Sequence, residues 1–98
     1  MNDIKKMWGE LQNTLPTEAI ELNIDGIDLT GTHRFACDCI NEFIRNDGKL
    51  EAETITRLHP CKAELQKVIP HIKGETQVYF AKLYRLCDLV SSRGTTMS

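Results

Sequence analysis

"TGTHRFACDCINEFIRN", residues 30–46, decides how the rest of the chain is read. A histidine, two cysteines one residue apart and two carboxylates stand close together, so the stretch looks at first like a chemical site. Periodicity points elsewhere. At about 100° per residue, Phe35, Ala36, Cys39, Ile40, Phe43 and Ile44 fall on one continuous face, and Arg34, Asp38, Asn41, Glu42 and Arg45 fall opposite. That segregation predicts an amphipathic helix lying on a core. Thr30 or Thr32 can cap its start through a side-chain oxygen, and Asp47-Gly48 ends it near Asn46. On such a helix Cys37 and Cys39 stand about 200° apart and cannot chelate one ion together. Nor is theirs the spacing of a zinc knuckle or a redox Cys-x-x-Cys pair. Cys39 is expected in the core, as is Cys87 further on.

Upstream, Ile20, Leu22 and Ile24 alternate with polar residues, and Asp25-Gly26 precedes Ile27 and Leu29. Asp-Gly between alternating apolar residues predicts a short β-hairpin over about residues 19–29, because both turn positions need positive φ. Before it, Ile4, Met7, Trp8, Leu11 and Leu15 recur at helical spacing, with Asn2 or Asp3 as cap and Pro16 as stop.

Downstream, Pro60 lacks an N–H and disfavours helix at His59. It is read as the first residue of a new helix, giving two short helices over 51–58 and 60–69. One bent helix over 51–69 is the competing pattern. Pro70 closes this region. The final helix starts after Gly74 and stops before Gly94. Tyr79, Phe80, Leu83, Leu86, Cys87 and Val90 cover most of its circumference, leaving Lys82, Arg85 and Asp88 as a narrow polar strip, so it is expected at the centre of the fold. Residues 94–98 carry no packing pattern and are expected to fray. The expected fold is mainly α: a single domain over residues 1–98, a compact bundle of four to five helices with one short β-hairpin.

A chain of 98 residues is the length of one domain, and 41% hydrophobic with 27% charged residues is a globular composition. The net charge of −2 and a pI of about 5.9 disfavour a nonspecific nucleic-acid binder, which needs excess Lys and Arg to displace phosphate counterions. No apolar run reaches the length of a signal peptide or a membrane span. A cytoplasmic chain is therefore expected, with its four cysteines reduced.

His33 and Cys37 are four apart on one helical edge, the spacing by which paired ligands are presented to zinc. His59 and Cys61 flank Pro60, and convergence of His33, Cys37, His59 and Cys61 would make a two-His, two-Cys metal set. The same Cys37, with His33 as base, is also a conceivable nucleophile pairing. No phosphate loop, Gly-x-Ser-x-Gly elbow or His-Glu-x-x-His is present. No cofactor and no enzymatic activity are expected. A helix-turn-helix built from 51–58 and 60–69 would turn Lys62, Gln66 and Lys67 towards DNA.

Asp25, Asp28, Asp38 and Glu42 give the hairpin and second helix an acidic face, suited to meeting another protein with a basic surface. Trp8 or Tyr79, if exposed, would anchor such a contact. The leading expectation is a small protein-binding module that occupies a partner's surface. In type it is similar to small accessory, inhibitor or immunity proteins of bacteria and phage. A DNA-binding regulator and a zinc- or thiol-dependent protein centred on Cys37 are the alternatives. The wide apolar arc of the last helix also admits a homodimer.

Overall fold

Four α-helices share one buried core in the structure, a computed structural model that describes residues 2–14, 23–24 and 27–96. They are α1 (Asn2–Gln12), α2 (Leu29–Arg45), α3 (Ala52–Val68) and α4 (Gly74–Arg93), with a 3-10 turn at Ile69–His71. Two minimal sheets complete the chain. Strands β1 (Asn23–Ile24) and β2 (Ile27–Asp28) pair antiparallel, Asn23 with Asp28 and Ile24 with Ile27. Strands β3 (Lys49–Leu50) and β4 (Thr95–Thr96) pair in parallel. The chain is thus the mainly α, compact bundle that its periodicity predicts. No described helix is long and apolar enough to cross a membrane.

The hairpin occupies the middle of its expected range, and residues 15–22 and 25–26 lie outside the described residues. In α1, Ile4, Trp8 and Leu11 are buried as the spacing requires. That helix ends at Gln12, before Pro16, because the Thr14 N–H and hydroxyl both donate to the Leu11 carbonyl, at 3.0 and 2.9 Å.

Helix α2 starts at Leu29, so Thr30 and Thr32 are not its caps. Thr32 is instead buried within the helix, where its hydroxyl donates to Glu64 Oε2 at 2.6 Å. The expected stop at Asp47-Gly48 is present and has a definite geometry. Asp47 is left-handed at φ 54° and Gly48 follows at φ 91°. Gly48 N donates to Phe43 O at 2.8 Å and Asp47 N to Ile44 O at 3.4 Å, which satisfies two terminal carbonyls in a Schellman arrangement.

The expected break at Pro60 is absent. Helix α3 runs through it, and one continuous helix replaces the two short ones. A proline inside a helix costs about 3 kcal/mol. Against that, Leu58 precedes the proline and Cys61, Leu65 and Val68 follow it, all four buried. Each such side chain gains roughly 1.5–3 kcal/mol by burial, and the continuous helix keeps both halves on the core.

Helix α4 packs against α1, α2 and α3 and buries Tyr79, Phe80, Leu83, Leu86, Cys87 and Val90. Its central place is as expected. Beyond α4, Thr95 and Thr96 pair with Lys49 and Leu50 of the segment after α2, and residues 97–98 lie outside the described residues. Gly94 permits this, because a Cβ there would lie 2.7 Å from the Val90 carbonyl oxygen and 3.0 Å from Leu50 Cδ1. At the same end of α4, Arg93 donates two hydrogen bonds to Asp3, at 3.0 and 2.8 Å, tying α4 to α1.

Candidate functional site

Two sides of α2 carry the residues that drew attention, and they behave differently. On the inner edge, His33 and Cys37 meet as their spacing predicts, with Cys37 Sγ 3.6 Å from His33 Nε2. The same nitrogen lies 2.7 Å from the Tyr79 hydroxyl of α4. Phe80 closes the imidazole from the side, edge-on at 6.0 Å between centroids. His33 is therefore half-buried and is not a surface histidine.

The electrostatics of this cluster favour neutral groups. Burial lowers the pKa of His33. Burial first, and then the Asp38 charge, pushes the Cys37 thiol up to about 11. Burial likewise raises Tyr79. A cysteine nucleophile works as a thiolate beside an imidazolium, and burial drives both members away from those states.

The other thiols lie deeper. Cys39 and Cys61 are buried, and burial pushes Cys39 up to about 12. Cys61 Sγ is 3.7 Å from the Thr32 carbonyl oxygen. A hydrogen bond with Cys61 and burial raise the thiol of Cys87. His59 is exposed on α3 and does not join His33 and Cys37. Among the described residues no three His, Cys, Asp or Glu side chains are grouped as a metal site. All four cysteines are free thiols.

The outer side of α2 faces solvent and forms a groove with α3 of about 410 Å³. Asp38 and Glu42, one turn apart, line it together with Arg34, Phe35, Thr54 and Arg57. The Arg57 guanidinium sits 4.6 Å above the Phe35 ring, a cation–π contact that fixes an α3 charge over an α2 side chain. Glu42 Oε2 accepts from the Glu51 N–H at 3.4 Å, so the chain entering α3 is tied to the groove's rim. Two guanidiniums, Arg34 of α2 and Arg57 of α3, thus stand with the two carboxylates around the groove. Of the other acidic residues, Asp25 lies outside the described residues, and Asp28 is placed by its backbone in β2.

Neither expected aromatic anchor is available. Trp8 is 6% exposed and donates from Nε1 to Asn41 Oδ1 at 3.0 Å, and Tyr79 is 3% exposed beneath His33. Both rings sink their apolar bodies and find a polar partner for the tip. Lys62, Gln66 and Lys67 all lie on α3. With α3 continuous there is no turn at Pro60, and Lys62 lies against α4, 3.0 Å from Asp88.

Sequence reasoning missed Phe35, Thr54 and Arg57 as groove residues and Tyr79 as the partner of His33. Arg57 and Phe35 belong to different helices, so no helical period links them. No family model, curated protein or solved structure matches the chain.

Proposed function

We propose that this chain is a non-enzymatic protein-binding module that acts by occupying a partner's surface through the α2–α3 groove. The observation that carries the reading is the assembly of Arg34, Asp38, Glu42 and Arg57 around one solvent-open groove that Phe35 also lines. Fixed charges of both signs beside an aromatic ring favour a partner segment that offers a cation to Asp38 and Glu42 and a carboxylate to Arg34 and Arg57. Charges so arranged select a partner and its register more than they add affinity. The neutral, half-buried state of His33 and Cys37 supports a structural role for that pair. Four free thiols support action in a reducing compartment, the cytoplasm.

The test is affinity capture from nuclease-treated lysate of the source cell, with the double variant Asp38→Lys/Glu42→Lys in parallel. One stoichiometric protein held by the parent chain and lost by the variant is the expected result. Equal capture by both chains places the contact elsewhere. Capture that disappears with nuclease treatment overturns the reading in favour of nucleic acid.

A further inference from the structure

Val78 is 53% exposed, the one large hydrophobic side chain among the described residues left facing solvent. It stands on the central helix α4, whose outward strip would otherwise be polar. Ala81, Lys82 and Arg85 follow it at helical spacing, so the four residues form one stripe. Across from them is Ile69 of the 3-10 turn, and together with Gln77 they line an open groove of about 410 Å³, mostly apolar. The groove is held in shape: Gln77 Nε2 donates to the Ile69 carbonyl at 3.0 Å and so fixes the turn against the helix.

Charge says what fits there. Lys82 and Arg85 make no ion pair among the described residues. Asp88, the carboxylate three residues beyond Arg85, is already taken by Lys62 at 3.0 Å. Glu10 lines a neighbouring hollow with Lys82 and Arg85, and Glu75 one with Val78 and Lys82, but neither lines this groove or forms an ion pair with either cation. An apolar trough with two uncompensated cations along one rim is complementary to a helix that carries apolar residues on one side and carboxylates beside them. Two copies of this face would bring Lys82 and Arg85 against Lys82 and Arg85, so a second copy is disfavoured. Two cations around an apolar floor are also poorly matched to a polyphosphate.

We propose that the Val78–Arg85 stripe of α4 is a second docking surface, separate from the α2–α3 groove, for an acidic amphipathic helix of another protein. The probe is a fluorescein-labelled peptide about five helical turns long, with leucine along one face and glutamate elsewhere. Its counterpart has lysine in place of glutamate. Binding is followed by anisotropy, with amide chemical-shift mapping to locate the contact.

The glutamate peptide should bind, and the lysine peptide should not. The shifts should gather at residues 69 and 77–85. Val78→Glu and the pair Lys82→Glu/Arg85→Glu should each weaken binding by at least about tenfold, through lost apolar contact and reversed charge respectively. Asp38→Lys/Glu42→Lys should leave it unchanged, which separates this surface from the first. No binding, or binding indifferent to Val78, Lys82 and Arg85, overturns the proposal. A concentration-dependent dimer abolished by Val78→Glu, or a short DNA duplex that displaces the peptide, overturns it equally.

Discussion

The Tyr79 hydroxyl and His33 Nε2, from helices α4 and α2, lie 2.7 Å apart with the Cys37 thiol 3.6 Å from the same nitrogen. One lone pair thus faces two donor groups, which is satisfied when the imidazole is neutral and carries its proton on Nδ1. A proton on Nε2 would leave both hydroxyl and thiol without that acceptor.

Stability should therefore fall on mild acidification. The folded-state pKa of His33 lies below its ordinary value of 6.5, so the unfolded chain binds the proton more readily. The sign follows: stability is complete above about pH 6.5 and declines as pH drops below it. Thermal melts between pH 7.5 and 5 should show this decline in the parent and a flatter profile in His33→Gln. Tyr79→Phe should cost about 0.5–1.5 kcal/mol at neutral pH by removing the hydrogen bond. A melting profile identical in parent and His33→Gln would rule out His33 as its source.

Pro60 leaves the Thr56 carbonyl without its helical N–H donor, yet α3 continues through it. Pro60→Ala restores the donor. The full difference between the residues is about 3 kcal/mol in a helix interior, offset by about 0.4–1 kcal/mol of unfolded-chain entropy and by the remaining bend. A net gain of about 1–2 kcal/mol in urea unfolding is expected. A loss would mean that the core requires the bend the proline imposes.

How much of this was legible follows the range of each interaction. Helices α1, α2 and α4 could be read because local period alone places Ile4, Trp8 and Leu11, or Ala36, Cys39, Ile40 and Phe43, on one side. Pro60 misled because a local rule lost to burial on either side of it. The Tyr79–His33 bond joins residues 46 apart in the chain, and nothing in either segment announces the other. Asp38 and Glu42 were legible as a solvent-facing pair, but the α3 arginine that changes their electrostatic setting was not.

Two glycines should respond oppositely to alanine. Gly9 is helical, and a Cβ there meets nothing within 4 Å, so Gly9→Ala should stabilise by about 0.5–1 kcal/mol. At Gly94 the added carbon would stand 2.7 Å from the Val90 carbonyl oxygen, which belongs to the backbone and cannot rotate away. Gly94→Ala should cost about 1–3 kcal/mol and loosen the pairing of β3 with β4. Amide exchange at residues 49–50 reads the second effect directly. Unchanged protection there, with unchanged stability, would contradict the close approach.

Thiol labelling should separate Cys37 from the rest. It is half-buried and borders a hollow of about 270 Å³, whereas Cys39, Cys61 and Cys87 are enclosed. With its pKa up at about 11, only about one Cys37 thiol in a thousand is ionised at pH 8, so even this cysteine should react slowly with iodoacetamide. All four should label together once the chain is unfolded. Rapid alkylation of Cys37 in the folded protein would show a thiolate, and would return His33 and Cys37 to consideration as a reactive pair.

The Arg93–Asp3 contact gives the last prediction. Hydrogen bonds from Arg93 hold the Asp3 carboxyl well below the usual range, down to about 2 from 3.8. A carboxylate depressed in the folded state contributes stability that is present above its unfolded pKa and lost as pH falls through the folded one. The window is therefore about pH 4 down to about 2, below that of His33, so the two transitions are separable. Both side chains are substantially exposed, so added salt should weaken the tie. In Arg93→Ala the Asp3 carboxyl, followed by its carbon chemical shift, should titrate close to 3.8 in place of about 2. If it stays low in the variant, then the end of α1 and not the link to α4 is what holds the proton off.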